Sequence, residues 1–238
     1  DNLMKACDDV DAIIIGTGKI GIDLYIKLKR NNIFDKIFIF NTNKLSEGAK
    51  YCKKKKFLYY DTGVNGVKKN LNSCNVIFDC TSANSNIIIT KKLKNLIKNK
   101  FYINLTPSTF GKYVVPYFNQ QTIPNEVNLI TCGGQTSIPI ISLFKKTLRG
   151  NLVYSELVSS ISSKSAGIAT RNNINEYIIN TENAIKQLAK IKKTKVIINL
   201  NPSVPPVNMM NSLFFELKKS IKPKEYINLK KGLKKINS

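Results

Sequence analysis

The sequence predicts an α/β protein whose first half forms a doubly wound parallel sheet. Short apolar runs alternate with helix-compatible segments up to residue 105, and a glycine-rich turn directly follows the first run. Strands that alternate with helices need crossover connections, which produce parallel sheets covered on both faces. With 238 residues, the chain can form one large domain or two modest ones with a substantial core.

Five apolar runs are the candidate strands of this half, because each has the length and composition of a buried strand. They are Ala12 to Ile15, Ile37 to Phe40, Phe57 to Tyr60, Val76 to Asp79 and Phe101 to Leu105. A helix is predicted from the glycine turn to about Arg30, and the lysine run at 53–56 is interpreted as a solvated helix end.

The second half changes character at about Cys132. A helix is predicted over Gln135 to Thr147, and the residues from Val153 to Ser163 alternate as in a half-buried strand. One face of a second long helix carries the apolar residues Ile174, Tyr177, Ile178, Ala184, Ile185 and Leu188.

Three further segments follow this helix. A strand is predicted at Val196 to Leu200, and the proline-rich stretch at 201–206 must be irregular. From about Ser220 the chain is dense in lysine and shows no clear periodicity. We therefore expect a loosely held or disordered tail.

The turn after the first strand reads Gly16-Thr17-Gly18-Lys19-Ile20-Gly21, a GxGxxG pattern that opens a helix. Here Gly16 permits the tight turn, Gly18 lets the backbone approach a pyrophosphate, and Gly21 lets helix and strand pack closely. The alternative is a glycine-rich turn that binds no nucleotide. A Rossmann fingerprint also has an acid about 20 residues further on, but the second strand ends at Asn41, with Lys44 beyond it. We expect dinucleotide binding, with the choice between NAD and NADP open.

Cys132 follows a short apolar run and precedes two glycines and the predicted helix. The N-terminal end of a helix favours the thiolate, which is the nucleophilic form of cysteine. Gly133 and Gly134 have no side chain, so they would let a substrate approach the sulfur closely. The alternative is that Cys132 is a small buried hydrophobe, as most isolated cysteines are.

The chain contains no histidine. This absence excludes a Cys-His dyad, Ser-His-Asp hydrolysis and any zinc site built on imidazole, and no metal site is expected. A working Cys132 must therefore be activated by backbone dipoles, the positive charge of a cofactor, or a base other than histidine. The acids after Asp79 are all glutamates, and none stands out by its spacing.

The formal net charge of +23 ordinarily suggests a nucleic-acid ligand. Only Arg30, Arg149 and Arg171 are arginines, however, and specific base readout depends on arginine. The many lysines, asparagines and isoleucines are typical of codon bias in an A/T-rich genome. Specific nucleic-acid binding is not expected, although a basic binder is a third interpretation.

The five cysteines form no CxxC pair, which favours free thiols in a reducing compartment such as the cytoplasm. The sequence shows neither an apolar run of membrane-spanning length nor an export leader. We therefore expect no association with a membrane.

Seven stretches, in order and approximate spacing, resemble the acylating acetaldehyde dehydrogenases that partner 4-hydroxy-2-oxovalerate aldolase. They are residues 13–30, FDCTSANS at 78–85, NLTPSTFGKYVVP at 104–116, VNLITCGGQTSIP at 127–139, YSELVSSISSKSAG at 154–167, TRNNINEY at 170–177 and NLNPSVPP at 199–206. The similarity covers about residues 10 to 215. It implies a Rossmann-type domain followed by a glyceraldehyde-phosphate-dehydrogenase-like α+β domain that is C-terminally truncated relative to the family.

The resemblance also implies domain boundaries and a reaction. We expect a dinucleotide-binding domain at 1–131, a catalytic and dimerisation domain at 132–215, and a lysine-rich tail at 216–238. In such an enzyme the thiolate at the position of Cys132 attacks acetaldehyde, hydride passes to NAD, and coenzyme A removes the acetyl group from sulfur.

Further site residues and partners follow from the same resemblance. NAD would contact the glycine turn and a second segment, here Ser165, Ala166, Gly167, Ile168, Ala169, Thr170, Arg171, Asn172 and Asn173. The protein would be a homodimer or a hetero-oligomer with the aldolase, and it would act in the catabolism of aromatic hydrocarbons.

Three departures from the family leave two functions open. Asn211 stands where the family has an aspartate thought to act as the base, and asparagine takes no proton at neutral pH. Ile168 and Ala169 replace a Pro-Gly pair, and family members continue past residue 238. The chain is either a CoA-acylating aldehyde dehydrogenase with Cys132 as acyl carrier, or a non-catalytic homologue that serves an aldolase as subunit or scaffold.

Overall fold

The computed structural model describes residues 10–116, 118–119, 123–166 and 171–236. The chain divides into two compact units. Unit 1 comprises Asp1–Lys112 and Thr122–Leu129, and unit 2 comprises Tyr113–Gln121 and Ile130–Ser238. The chain therefore passes from unit 1 into unit 2 just before Cys132. In the described part of the chain, no helix is long and apolar enough to cross a membrane.

The first part of the fold is a seven-stranded sheet with intervening helices, as the sequence predicts. Its elements are β1 (Asp11–Ile15), α1 (Lys19–Arg30), β2 (Ile37–Phe40), α2 (Glu47–Lys54), β3 (Tyr59–Tyr60), α3 (Gly63–Asn70), β4 (Cys74–Asp79), α4 (Ala83–Leu93), β5 (Phe101–Asn104), β6 (Lys112–Tyr113) and β7 (Glu126–Asn128). The strand order is β3-β2-β1-β4-β5-β7-β6. The pairs β1–β2, β1–β4, β2–β3, β4–β5 and β5–β7 are all parallel.

Alternation along β1 explains why helices cover both faces of this sheet. Ile13 and Ile15 belong to a buried cluster with residues of α3 and α4, whereas Ala12 and Ile14 belong to a cluster with residues of α1 and α2. Successive side chains of a strand point to opposite faces. The doubly wound prediction is therefore confirmed, and the strand order reverses between β1 and β4, the switch point of such a fold.

Unit 2 contains a smaller mixed sheet packed against helices. Its elements are α5 (Cys132–Leu148), β8 (Leu152–Ser162), α6 (Ile174–Leu188), β9 (Lys193–Asn201), β10 (Met210–Leu217) and α7 (Pro223–Ile236). The strand order is β10-β8-β9, with β8 antiparallel to β10 and parallel to β9. Ile141 of α5, Leu157 of β8 and Ile185 of α6 share one buried apolar cluster.

Several elements differ from the sequence expectations. The third strand is only Tyr59–Tyr60, because these two residues alone pair with β2. Helix α5 begins at Cys132, three residues before the expected start, because the Thr131 side chain caps it there. The predicted strands do not include β6, β7 or β10.

The expectation of a loose lysine-rich tail is wrong over residues 223–236, which form α7. Leu229 is buried, and a Cβ atom at Gly232 would lie 2.5 Å from the Leu143 side chain of α5. The spacing of Leu229 and Gly232 puts both residues on one face of the helix, which is the packed face. The many exposed lysines on the other faces conceal this short apolar stripe in the sequence.

Candidate active site

Cys132 is the first residue of α5 and is exposed, whereas Cys52, Cys74 and Cys80 are buried. The interpretation of Cys132 as a buried hydrophobe is therefore wrong. The Thr131 hydroxyl accepts the N–H of Gly134 at 3.1 Å and thereby caps the helix. The sulfur thus lies at the end of a helix where backbone dipoles favour negative charge.

A turn with a strained backbone conformation precedes this helix. Ile130 has a φ of 64° and is only 2% exposed. A β-branched residue rarely adopts positive φ, so such a conformation needs support from its surroundings. Asn180 of α6 donates to the Ile130 carbonyl at 3.2 Å, which is part of that support.

The two glycines after Cys132 make room for protein atoms, and access of a substrate to the sulfur past them stays a prediction. A Cβ atom at Gly133 would lie 2.3 Å from the Tyr177 hydroxyl and 2.6 Å from Ser159 Oγ. A Cβ atom at Gly134 would lie 2.7 Å from Ile130 Cγ2. Both glycines are buried, so the fold itself requires them.

Tyr177 of α6 lies beside the sulfur. Its hydroxyl is 3.8 Å from Cys132 Sγ and accepts the N–H of Gly133 at 3.1 Å. The side chain is 5% exposed. Burial first, and then the charge of Cys132, raise the pKa of Tyr177 to about 12. Tyr177 therefore stays protonated at neutral pH and is a hydrogen-bond donor rather than a base.

Two strands of the small sheet extend the contacts of Tyr177. Its hydroxyl lies 3.4 Å from Ser159 Oγ of β8, and Ser159 donates to Asn211 Oδ1 of β10 at 2.7 Å. Asn211 stands opposite Ser159 in the register of the two antiparallel strands. The sheet therefore holds these two polar side chains next to each other.

The contacts then return to α5. Asn211 Nδ2 donates to Thr136 Oγ1, and Thr136 donates to the carbonyls of Cys132 at 3.1 Å and Gly133 at 3.2 Å. The contacts thus run from Cys132 Sγ through the side chains of Tyr177, Ser159, Asn211 and Thr136 and close at the backbone carbonyl of Cys132; we call these five residues the Cys132 ring. The structure brings together the two catalytic candidates of the sequence, Cys132 and Asn211, within this ring.

The glycine turn of unit 1 has the geometry that its residue types predict. Gly16 has a φ of 106°, and a Cβ atom there would lie 2.8 Å from the Cys80 carbonyl oxygen. A Cβ atom at Gly21 would lie 2.3 Å from the Gly16 carbonyl oxygen. At Gly18, by contrast, no atom of the described residues lies within 4 Å of the Cβ position. The protein's own packing therefore does not require a glycine at 18.

The space beside Gly18 adjoins the N-terminus of α1. Gly18 precedes Lys19, the first residue of this helix, and no side chain caps the helix there. Lys19 and Ile20 are exposed, whereas Thr17 is buried. A helix N-terminus without a side-chain cap, together with a missing Cβ, suits a phosphate group.

Asn41 occupies the position where the fingerprint expects an acid. Its Nδ2 atom donates to Thr17 Oγ1 at 2.6 Å, and its Oδ1 atom accepts the N–H of Thr42 at 2.9 Å. Lys44 lies 3.3 Å from the Asp61 carboxylate. The amide of Asn41 therefore connects the loop after β2 to the glycine turn.

The second predicted cofactor segment lies in unit 2 and is described only in part. The N–H groups of Ser165 and Ala166 both donate to the Ser162 carbonyl. Arg171 donates to the carbonyl and the hydroxyl of Ser163 at 2.8 and 2.7 Å. Asn172 is exposed and Asn173, just before α6, is buried. Gly167, Ile168, Ala169 and Thr170 lie outside the described residues.

Three members of the Cys132 ring, Thr136, Ser159 and Tyr177, are not among the predicted site residues. The sequence pattern assigns Tyr177 only to the apolar face of a helix. The sequence does carry a signal for Ser159. Because successive side chains of a strand point to opposite faces, Ser159 lies on the same face of β8 as the buried residues Leu157 and Ile161. A serine on the buried face of a strand needs a hydrogen-bond partner.

Comparison with solved structures gives the class of the fold. Residues covering 94% of this chain match 76% of the aspartate semialdehyde dehydrogenase with NADP from Candida albicans, at a TM-score of 0.66 and 12% identity. The aspartate semialdehyde dehydrogenase II complexed with ASA from Vibrio cholerae matches at a TM-score of 0.61 and 12% identity, over 93% of this chain and 76% of that one. The fold is that of the semialdehyde dehydrogenases, which confirms the predicted α/β architecture.

Sequence comparison identifies the family. The chain is 39% identical to an acetaldehyde dehydrogenase of Burkholderia thailandensis, over 84% of this chain and 67% of the relative. It is 36% identical to an acetaldehyde dehydrogenase of Bacillus cereus, over 88% and 69%. Family models match at residues 132–236 (prokaryotic acetaldehyde dehydrogenase, dimerisation) and 2–106 (shikimate/quinate 5-dehydrogenase). The chain belongs to the acetaldehyde dehydrogenase family.

Proposed function

We propose that the chain is a CoA-acylating aldehyde dehydrogenase that converts acetaldehyde, coenzyme A and NAD to acetyl-CoA and NADH. The observation that carries this proposal is the exposed Cys132 at the N-terminus of α5, inside a ring of hydrogen-bonding side chains. Membership of the acetaldehyde dehydrogenase family supports it.

Cys132 carries the substrate carbon through the reaction. Its thiolate adds to the aldehyde carbon, and the oxygen takes a proton from water to give a hemithioacetal. When that carbon loses a hydride and its hydroxyl loses a proton to water, an acetyl thioester remains on sulfur. The thiol of coenzyme A then adds to the thioester carbon, its proton passes to solvent, and Cys132 leaves as thiolate.

The nicotinamide cofactor, when bound, supplies the acceptor for the hydride. The glycine turn at 16–21 would hold its pyrophosphate, because Gly18 leaves open space at the N-terminus of α1. Asn41 offers no carboxylate to the adenosine ribose, and its amide is engaged with Thr17. NADP is therefore the alternative cofactor, and both dinucleotides belong in the test.

We assign no general base at neutral pH to the four side chains that accompany Cys132 in the ring. Asn211 takes no proton, and the pKa of Tyr177 is raised to about 12. We therefore assign the proton of the hemithioacetal hydroxyl to water. The proposal requires Cys132 as nucleophile but no aspartate at position 211.

The dimerisation domain matched over residues 132–236 supports an oligomeric protein. We extend the proposal to a 4-hydroxy-2-oxovalerate aldolase as partner, because the resemblance of the sequence is to dehydrogenases that pair with this enzyme. Gel filtration of the chain with and without such an aldolase tests the partnership separately from the reaction.

The first test is reduction of NAD or NADP by the purified chain with acetaldehyde and coenzyme A, followed by absorbance. We expect turnover in the wild type and at least a thousandfold loss in Cys132→Ser, because a hydroxyl without a base is a poor nucleophile. Cys52→Ala, which removes a buried thiol, should retain turnover.

Turnover that persists in Cys132→Ser contradicts the proposal. A folded wild-type sample without turnover that binds an aldolase would instead support a non-catalytic subunit or scaffold. Salt-sensitive DNA binding that survives changes in the glycine turn would support a basic binder.

A further inference from the structure

The Tyr177 hydroxyl has two acceptors within reach but only one hydrogen. Cys132 Sγ lies 3.8 Å away and Ser159 Oγ lies 3.4 Å away. The Tyr177 oxygen already accepts the N–H of Gly133. Because a phenol carries a single hydrogen, Tyr177 can donate to the sulfur or to Ser159, but not fully to both.

The remainder of the Cys132 ring determines where the Ser159 hydrogen points. The Thr136 hydroxyl donates to backbone carbonyls, so it can only accept from Asn211. Asn211 therefore turns Nδ2 toward Thr136 and Oδ1 toward Ser159, which donates to it at 2.7 Å. Because Ser159 donates its only hydroxyl hydrogen to Asn211, its oxygen can only accept a hydrogen bond from Tyr177.

We propose that the Tyr177 hydroxyl switches its hydrogen bond between two acceptors, Cys132 Sγ and Ser159 Oγ. It donates to Cys132 Sγ while the sulfur is a thiolate, and it donates to Ser159 Oγ while the sulfur is acylated. The acylated state rests on the proposed function. A thiolate is a stronger acceptor than a neutral hydroxyl, and acylation removes its charge, so the chemical state of the sulfur selects the acceptor.

Two further observations fit this role. Tyr177 keeps its hydrogen throughout the neutral range, because burial raises its pKa to about 12. Gly133 holds the hydroxyl in place through its N–H group, and the missing side chain at 133 leaves room for both Tyr177 and Ser159. The ring supplies a hydrogen bond to the thiolate and no base.

Alkylation of Cys132 by iodoacetamide across pH tests the inference, with mass spectrometry of the Cys132 peptide as readout. The rate follows the thiolate fraction and needs neither aldehyde nor cofactor. In Tyr177→Phe we expect the midpoint to rise by about one pH unit, with alkylation roughly tenfold slower below it. Tyr25→Phe removes a hydroxyl of similar burial in unit 1 and should leave the midpoint unchanged.

Ser159→Ala provides a test of opposite sign. Removing the competing acceptor leaves the Tyr177 hydrogen to the sulfur alone, so the midpoint should fall. General damage to the site would raise the midpoint in both variants. An unchanged midpoint in folded Tyr177→Phe, or a rise in Ser159→Ala, overturns the inference; if Tyr177→Phe does not fold, the direction in Ser159→Ala decides.

The proposed function and the proposed role of Tyr177 can be refuted independently of each other. Absence of dehydrogenase turnover in the wild type refutes the proposed function, but the alkylation midpoints of the variants still test the donor role. Conversely, turnover that depends on Cys132, together with an unchanged midpoint in Tyr177→Phe, refutes only the role of Tyr177.

Discussion

Gly133 shows how one missing side chain organises the environment of the sulfur. Its Cβ position is 2.3 Å from the Tyr177 hydroxyl and 2.6 Å from Ser159 Oγ, so two polar groups occupy that space. Its N–H donates to the same tyrosine hydroxyl. A residue with any side chain would displace the donor that we assign to the thiolate.

We expect Gly133→Ala to destabilise the protein by about 1–3 kcal/mol, since a methyl group forced into a packed site displaces its neighbours. Alkylation of Cys132 should also slow, because Tyr177 is pushed away from its place. Gly150→Ala is the matched control, since nothing lies within 4 Å of its Cβ position, and it should stay within about 0.5 kcal/mol of the wild type. Equal denaturation midpoints for the two variants would contradict the packing argument.

Gly18 is the reverse case, a glycine that the packing of the described residues does not need. We expect Gly18→Ala to keep the wild-type thermal midpoint and to weaken NAD binding at least about tenfold in calorimetric titration, because its methyl group would block the close approach of a pyrophosphate. Gly21→Ala should lose stability, since its Cβ would lie 2.3 Å from a carbonyl oxygen. Unchanged NAD affinity in Gly18→Ala would show that the pyrophosphate does not bind there.

At the scale of secondary structure, the spacing of apolar residues predicts the elements that bury one face. The strand expected at Val153 to Ser163 is β8 (Leu152–Ser162), and the helical face ending at Leu188 belongs to α6 (Ile174–Leu188). Buried positions recur at every second residue over most of β8 and at helical spacing along α6, so both sequences reflect the burial of one face. Helix α7 escaped prediction because its packed face is a narrow stripe among exposed lysines.

The site could be predicted only where a local motif marks it. Cys132 precedes a distinctive Gly-Gly pair, and Asn211 follows a Pro-Pro pair that matches a family pattern. Thr136, Ser159 and Tyr177 have no such signature, and they meet only because α5, α6 and β8 pack together. Hydrogen bonds between segments that are far apart in the sequence depend on tertiary packing, so no short stretch of the sequence predicts them.

At the scale of the whole molecule, charge is poorly balanced. The chain carries a net charge of +23, and ion pairs among the described residues include Lys27–Asp23, Lys44–Asp61 and Lys186–Glu182. One groove of unit 2 is lined by five lysines: Lys145, Lys190, Lys192, Lys193 and Lys218. Repulsion among like charges destabilises a compact state.

We therefore expect the thermal midpoint to rise by a few degrees when NaCl increases from about 20 mM to about 0.5 M, since salt screens exposed charges. The measurement is thermal unfolding by circular dichroism at constant pH. Sucrose at matched osmolality controls for general solvent effects. A midpoint that falls with NaCl would show that attractive pairs outweigh the repulsion.

The conformation of Ile130 has an entropic consequence for the sulfur. A buried β-branched residue at positive φ, supported by Asn180 and packed beside Gly134, leaves the chain before Cys132 few alternative states. The backbone therefore has little freedom to lose when a carbon atom is attached to the sulfur and little to regain when it departs. Folding has already ordered this segment, so the position of the sulfur is set before any group is attached to it.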